Sequence, residues 1–234
     1  MLYFDKTFDE PQYNLACDEF LVDFCRQNGG IECLRFWEPR NYFVVLGYGN
    51  TPEDEIFVDE CRRLNIPILK RVSGGGCVLQ GPGCLNYALI LKIENHPEIS
   101  TIPDTNRFVM NKNCKILSEV LNANVKVSGI TDLTINDKKF SGNAQRRYKD
   151  YVLYHGTFLI NFDISLMEKI LKIPKRQPCY RKNRTHSEFL TNLGISTELI
   201  KEKMKIAWEA TIPLTELDTS SFINLAKNRL ITET

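Results

Sequence analysis

Apolar residues recur at helical spacing in two long stretches of the chain. Residues 14–26 place their apolar side chains at three- to five-residue intervals and end at Asn28-Gly29-Gly30, a typical helix stop. Residues 104–122 repeat the pattern, and Asp104 is the predicted N-cap. The pattern predicts shorter helices at 58–64, 166–171, 197–210 and 218–230.

Continuous apolar runs predict strands between these helices. Residues 85–92 are dense in apolar side chains, which is typical of a buried central strand. Asn136-Asp137 separates two short runs and predicts a hairpin turn. Further strands are predicted at 34–37, 42–47, 66–71, 125–127, 133–135, 139–141 and 151–162. This order predicts an α+β fold, a mixed sheet flanked by helices, in a single domain over residues 1–234.

Composition and charge narrow the classes of function. The chain has 30 Lys and Arg against 29 Asp and Glu, a formal charge of +1, which gives no support to nucleic-acid binding. No window approaches eighteen apolar residues, and the first residues lack the features of a secretion signal. Eight cysteines are scattered without a Cys-x-x-Cys pair, which argues against a metal site. We therefore expect a cytoplasmic protein with reduced, mostly buried thiols and neither membrane nor nucleic acid as partner.

A glycine-rich segment carries the strongest local signal. Ser73-Gly74-Gly75-Gly76 follows one apolar run and precedes another. Glycine lets a ligand approach the backbone, whose N–H groups bind anions. Arg71 adds a guanidinium fork that suits phosphate or carboxylate. The segment is neither a Walker A motif nor Gly-x-Gly-x-x-Gly, and taken alone a structural tight turn explains it equally well.

Five segments of the chain carry further motifs in a fixed order: residues 14–19, 70–78, 83–87, 132–144 and 155–159. Their order and spacing resemble those of the lipoate–protein ligase and octanoyltransferase family, over roughly residues 10 to 210. The resemblance implies a fold like that of the biotin and lipoyl protein ligases, related to class II tRNA synthetases.

The resemblance also implies roles for individual residues. Lys139 would reach the carbonyl and α-phosphate of an acyl-adenylate, where its ammonium offsets the repulsion between carboxylate and ATP. Asp132 would orient the ribose or hold Mg²⁺ beside the phosphates. His155 is either a general base or a structural histidine. The other expected ligand-binding residues are Arg71, Ser73, Gly74, Gly75, Gly76, Cys77, Val78, Leu79, Asn86, Ser141, Gly142, Gly156 and Thr157.

Cys179 separates the two chemistries of the family. Octanoyltransferases form a thioester on a cysteine, whereas ligases pass through an acyl-adenylate. Pro178-Cys179 lies about where one octanoyltransferase branch carries its nucleophile, and nearby cations would favour the thiolate. Residues 180–186 differ from that branch, so we expect an ATP-dependent lipoate–protein ligase, with a Cys179-dependent octanoyltransferase as the alternative. A non-catalytic lipoyl-binding or partner subunit is a third reading, because Gln80-Gly81 and Cys84 replace His-Asp and Asn of many relatives.

The resemblance further implies substrates and partners. ATP and Mg²⁺ would be the cofactors and lipoic or octanoic acid the substrate. The acceptors would be lipoyl domains of 2-oxoacid dehydrogenases or the glycine cleavage H protein. We expect no C-terminal accessory domain in this chain, so a separate accessory polypeptide is a further candidate partner. A basic segment would dock an acidic partner, although a solvated loop explains it too. Its cations are Lys172, Lys175, Arg176, Arg181, Lys182 and Arg184.

Overall fold

The structure, a computed structural model, describes residues 1–231. The helices are α1 Pro11–Gln27, α2 Pro52–Glu55, α3 Val58–Arg63, α4 Ile102–Leu121, α5 Ile164–Ile170, α6 His186–Phe189, α7 Thr197–Ala207 and α8 Ile223–Lys227. The strands are β1 Leu2–Asp5, β2 Cys33–Trp37, β3 Phe43–Leu46, β4 Ile68–Lys70, β5 Val78–Gln80, β6 Cys84–Lys92, β7 Lys126–Ser128, β8 Asp132–Ile135, β9 Lys138–Arg147, β10 Tyr151–Leu159 and β11 Ile212–Pro213. Short 3-10 helices lie at Ile93–Asn95, Pro97–Ile99, Cys179–Arg181 and Thr219–Phe222.

Eight strands form one mixed sheet in the order β11-β1-β2-β6-β10-β9-β8-β7. The outer strands β11, β1 and β2 run parallel, whereas β6 pairs antiparallel with both β2 and β10. Helices α4 and α7 cover one face, where Leu89 and Val152 are buried, and α1 and α8 cover the other, where Ala88 and Leu153 are buried. Because β6 is buried on both faces, its sequence is a nearly continuous apolar run. The predicted α+β architecture is confirmed.

A smaller sheet has the strand order β4-β3-β5. It packs with α3, α5 and α6 around a second core. The chain returns to its edge at residues 229–231, where the Lys70 amide donates to Arg229 O (2.8 Å) and the Ile231 amide to Ile68 O (3.0 Å). Strand β4 leads directly into the glycine-rich segment, so this small sheet sets the position of residues 71–76.

The elements predicted from periodicity are present, with differences at their ends. The predicted cap of α4 was wrong: Thr101 is the N-cap, and its hydroxyl accepts a hydrogen bond from the Asp104 amide. Pro103 in the first turn explains the earlier start, because proline needs no N–H partner there. The helix expected at 218–230 is shorter, a 3-10 turn followed by α8. Both Asn136 and Asp137 have positive φ, as the predicted tight hairpin requires.

Strand β1 was not predicted, because its four residues are too few to show a periodic pattern. It is stabilised by its pairing with β2. Within residues 1–231, no helix combines the length and apolar character needed to cross a membrane.

Candidate active site

One face of the large sheet collects the polar residues singled out above. In the β9–β10 register Thr157 lies opposite Gly142 and His155 opposite Ala144, while β6 places Asn86 opposite Thr157. Residues paired across strands point to the same face, so these side chains share one surface. The glycine-rich segment and the amino-terminal half of α1 contact it.

The glycine loop, residues 73–76, is built around Arg71. The guanidinium donates to Ser73 Oγ (3.0 Å), to Val45 O (3.4 Å) and, through Nη2, to the carbonyls of Gly74 and Gly76 (both 2.8 Å). Burial lowers the pKa of Arg71 to about 10, so it stays protonated at neutral pH. We expected Arg71 to bind a phosphate. In the structure its guanidinium instead donates four hydrogen bonds within the protein, three to the glycine loop and one to Val45 of β3.

The same arrangement leaves the loop amides available. The N–H groups of Gly74, Gly75 and Gly76 donate no hydrogen bond to any residue in the described part of the chain. Gly75 has a φ of +95°, and a Cβ on Gly47 would lie 2.1 Å from Gly75 O. Because the carbonyls turn inward towards Arg71, the loop is suited to receive an anion on its amides.

Lys139 and Asp132 come together as an ion pair. Lys139 Nζ lies 2.8 Å from Asp132 Oδ1, and the Tyr180 hydroxyl donates to Asp132 Oδ2 (2.6 Å). Gly142 gives the ammonium room, since a Cβ there would lie 2.9 Å from Nζ. Burial, followed by the charge of Asp132, raises the pKa of Tyr180 well above its usual range. The Tyr180 hydroxyl is therefore a stable donor to this carboxylate.

His155 connects the glycine loop to α1. Its Nε2 lies 2.6 Å from Ser73 Oγ, and its Nδ1 lies 3.9 Å from Asp18 Oδ2. Asp18 in turn forms a buried ion pair with Arg35 of β2. Sequence reasoning missed Asp18 and Arg35 as site residues. The available signal was an arginine inside the apolar strand Cys33–Trp37, because a buried guanidinium needs a carboxylate partner.

Asn86 and Thr157 form a closed hydrogen-bonded ring with Gln80. Gln80 Nε2 donates to Thr157 Oγ1 (2.6 Å), Thr157 Oγ1 donates to Asn86 Oδ1, and Asn86 Nδ2 donates to Gln80 Oε1 (3.0 Å). The ring ties β5 to β6 and β10. Gln80, one of the residues expected to differ from many relatives, is buried and hydrogen-bonded within this set.

Several predicted ligand-binding residues are engaged in packing. Leu79 lies in the core of the small sheet, where Cys77 packs against it, and Val78 is partly exposed. Ser141 lies opposite Phe158 in the β9–β10 register, and its hydroxyl accepts a hydrogen bond from Asn143 Nδ2 (3.2 Å). A Cβ on Gly156 would lie 1.7 Å from Asn143 Oδ1, so a glycine is needed there for packing.

Cys179 begins a 3-10 helix and is exposed. It belongs to the basic loop, residues 172–186, which reaches the Lys139 site through Tyr180. Within the described chain the Cys179 thiol takes part in no hydrogen bond or ion pair.

Four of the six cations in the basic loop have partners in the chain. Lys172 donates to Glu53 O and Lys175 pairs with Asp54, while Arg181 and Arg184 donate to loop carbonyls. The other two, Arg176 and Lys182, are exposed.

The mixed sheet brings together a loop whose amides have no partner among residues 1–231 and a lysine–aspartate pair, an arrangement that suits an anionic ligand. The sequence model described as the lipoyl protein ligase A/B catalytic domain matches residues 10–207, and the chain belongs to that family. It is 33% identical over 165 residues to a probable lipoate-protein ligase A of Mycoplasma genitalium, covering 70% of this chain and 47% of the relative. It is 30% identical over 185 residues to the octanoyltransferase LipM of Clostridioides difficile, covering 70% of this chain and 66% of the relative.

The chain thus spans about half the length of that Mycoplasma relative. Among solved structures, it resembles one described as a bi-partite lipoate protein ligase and its E2 lipoyl domain from Thermoplasma acidophilum. The TM-score is 0.78 at 20% identity, over 97% of this chain and 90% of the other. A lipoate-protein ligase A bound with ATP gives a TM-score of 0.77 at 20% identity, over 97% and 93% of the two chains. These likenesses establish the shared fold.

Proposed function

We propose that the protein is a lipoate–protein ligase-type enzyme. It joins lipoate or octanoate to ATP as an acyl-adenylate and then transfers the acyl group to a lysine of a lipoyl domain. The observation that carries the proposal is the placement of the Lys139 ammonium, 2.8 Å from Asp132, on the sheet face that the glycine loop contacts. Membership of the family and the ligase relatives support it.

In the first step the acid's carboxylate attacks the α-phosphorus and pyrophosphate leaves. Two anions approach each other, so the site must supply positive potential that needs no rearrangement. The Lys139 ammonium and the unpaired amides of Gly74, Gly75 and Gly76 supply it. In our proposal Arg71 acts by holding the loop carbonyls inward, which leaves those amides for the phosphate.

Magnesium would accompany the nucleotide as part of the substrate. Among residues 1–231 no three His, Cys, Asp or Glu side chains are grouped as metal ligands. The ion would therefore rely on phosphate oxygens and water, as Mg²⁺ commonly does, with the Asp132 carboxylate beside it. The donor set fits such an ion and does not fit a metal cage made by protein side chains alone.

In the second step the acceptor lysine attacks the acyl carbonyl and AMP leaves. Lys139 would stay with the departing phosphate and stabilise its charge. The Thermoplasma structure is described together with an E2 lipoyl domain, which supports lipoyl domains as acceptors. A relative of that organism, 27% identical, is called lipoate-protein ligase A subunit 1, which supports a separate accessory polypeptide as a partner.

Replacement of Lys139 by alanine tests the proposal. We expect Lys139→Ala to lower acyl transfer by about two to three orders of magnitude, since one positioned charge at such a site is worth that much. Lys138→Ala is the matched control, because Lys138 is the exposed neighbour on the same strand. The assay is the mass shift of an apo lipoyl domain incubated with lipoate, MgATP and enzyme. Absence of any shift with the wild type, even with a partner polypeptide added, would reject ligase activity.

An octanoyltransferase that uses Cys179 is the second candidate. The exposed thiol adjoins Tyr180, which touches Asp132, and the relatives include octanoyltransferases. A nucleophilic cysteine is normally activated by a neighbouring base, and Cys179 has no such partner in the described chain, which favours the ligase.

The donor assay separates the two candidates. Octanoate with ATP is compared with octanoyl carrier protein without ATP, using wild type and Cys179→Ala. ATP-dependent product that survives Cys179→Ala supports the ligase. A hydroxylamine-sensitive octanoyl label on Cys179, with no ATP-dependent product, would establish the octanoyltransferase.

A further inference from the structure

The hydrogen bonds of Ser73 have a definite direction. Arg71 Nε lies 3.0 Å from Ser73 Oγ, and a guanidinium can only donate. The other contact of the hydroxyl within the described chain is His155 Nε2 at 2.6 Å. The serine oxygen has two lone pairs and could accept from both groups, but its own buried hydrogen would then have no acceptor within the described chain. A hydrogen directed to an unprotonated Nε2 satisfies all three groups, and we take this as the direction of the bond.

A neutral imidazole with an unprotonated Nε2 carries its proton on Nδ1. In the structure Nδ1 faces Asp18 Oδ2 at 3.9 Å. The other carboxylate oxygen, Oδ1, is bonded to Arg35 Nη1. The same guanidinium donates to Asn14 O (2.7 Å) and Asn14 Oδ1 (2.9 Å), so α1 and β2 hold Asp18 in place.

Asp18 and Arg35 are both almost completely excluded from solvent. Burying an ion pair costs desolvation energy and is weak evidence for stability alone. Here the pair with Arg35 fixes the carboxylate of Asp18 beside His155, which contacts the glycine loop through Ser73. We propose that Asp18, held by Arg35, is a positioning residue that keeps the proton of His155 on Nδ1, so that Nε2 anchors Ser73 and the glycine loop.

Serine, histidine and aspartate in this order resemble a nucleophilic triad, but the geometry excludes that use in this conformation. Ser73 has a relative exposure of 0%, and its oxygen is already bonded to Arg71 and His155. An acyl group has no access to the hydroxyl. The chain of contacts therefore orients the loop and does not carry a covalent intermediate.

The tautomer can be measured directly. The chain has three histidines, so ¹⁵N-labelled protein gives few imidazole signals, and His96→Gln and His186→Gln identify those of His155. We expect two-bond ¹H–¹⁵N spectra in mildly alkaline buffer to show a protonated Nδ1 and an unprotonated Nε2. A protonated Nε2 in the wild type would overturn the proposal without any variant.

Asp18→Asn tests what sets the tautomer. The asparagine oxygen is needed by Arg35, so its NH₂ group turns to His155 and should move the ring proton to Nε2. Asp23→Asn is the matched control, because Asp23 is an exposed aspartate of the same helix. Ser73→Ala should leave the proton on Nδ1, because Asp18 remains. An unchanged tautomer in Asp18→Asn, or a changed one in Ser73→Ala, would overturn the role of Asp18.

A second experiment measures the rate of acyl transfer and rests on the proposed function. We expect Asp18→Asn to lower acyl transfer about 10- to 100-fold, the range found when a carboxylate that orients a metal-bound histidine is removed, with Asp23→Asn unaffected. Unchanged transfer despite the switched tautomer would refute the positioning role. Lack of activity in the wild type would instead refute the proposed function, and the spectra would still decide the tautomer.

Discussion

The glycine loop and the first half of the basic loop, residues 172–178, lie near the candidate site and are held differently. The glycine loop closes around one buried guanidinium that makes four hydrogen bonds. The second half of the basic loop also contains a buried arginine, Arg181, whose Nε donates to Arg184 O (3.0 Å). Residues 172–178 are instead held by contacts nearer the surface, such as the exposed Lys175–Asp54 pair, and are followed by the Tyr180–Asp132 hydrogen bond.

This difference predicts which segment moves. Breaking a buried hydrogen bond leaves the donor and the acceptor without a partner, which costs free energy. The charges of an exposed ion pair are instead hydrated by water when the pair separates, so little free energy is lost. The glycine loop is therefore set before a ligand arrives. Residues 172–178 of the basic loop are the part that can open at low cost, because the residues after them include the buried Arg181 and His186.

The largest expected effect comes from removing the buried guanidinium. Arg71→Met leaves the carbonyls of Gly74 and Gly76 without their donor, and we expect the free energy of unfolding to fall by roughly 3 kcal/mol. Urea titration followed by circular dichroism measures it. Arg63→Met is the control, because Arg63 is exposed and pairs with Glu60 at the surface, and no measurable change is expected. A loss below about 1 kcal/mol for Arg71→Met would mean that the loop does not depend on Arg71.

Acid should weaken the basic loop through His186. Burial, and next the charge of Arg181, lowers the pKa of His186 below its ordinary value. The unfolded chain then binds more protons below about pH 6.5, so stability is lost as the pH falls from there towards the folded-state pKa, by at most about 1.4 kcal/mol per pH unit.

The pKa of His96 is shifted in the opposite direction, so its contribution to stability changes with pH in the opposite sense. Its pKa is raised, chiefly by the hydrogen bond to Glu32, so its contribution is present below the unfolded pKa and is lost as the pH rises through the folded one. Chemical denaturation between about pH 5 and 8 should show a smaller acid loss for His186→Gln than for wild type, and a larger one for His96→Gln. Equal slopes in all three proteins would exclude these assignments.

A smaller effect is expected at the contact between the basic loop and the site. Tyr180→Phe removes one half-buried hydrogen bond to Asp132 and should cost about 1 kcal/mol. Limited proteolysis should cut within residues 172–186 faster in this variant. Tyr48→Phe is the control, because Tyr48 is 62% exposed. Cleavage at the wild-type rate would show that Tyr180 does not hold the loop down.

The smallest effect is expected for the exposed pair. Lys175→Ala removes the partner of Asp54 at the surface, and surface ion pairs of this kind are screened by salt and contribute little. Thermal unfolding at low and high salt should give the same midpoint as wild type at each. A lower unfolding midpoint than that of the wild type at both salt concentrations would show that the Lys175–Asp54 pair stabilises the protein.

The parts of the fold that follow from local pattern were predictable. Helices α1 and α4 and the buried strand β6 have strong periodicity, and the Asn136-Asp137 turn has residues that tolerate positive φ. The predicted hairpin placed the strands of Asp132 and Lys139 side by side, but the ion pair between the two residues was not predicted.

The polar chain from Arg35 to Ser73 was not predictable in the same way. Its members lie on α1, β2, β10 and the glycine loop, and only tertiary packing brings them together. The role of Arg71 was likewise hidden, because a sequence shows that a cation is present but not that the loop carbonyls face it. Propensity and spacing describe single elements, whereas hydrogen-bond direction depends on several of them at once.

The pairing of residues 229–231 with β4 has a consequence for how variants of these residues are interpreted. Leu230 bridges Leu69, one residue before Lys70 and two before Arg71. Substitutions at residues 229–231 therefore act on the strand that supports the glycine loop. A change in ligand binding in such a variant does not show that these residues contact the ligand.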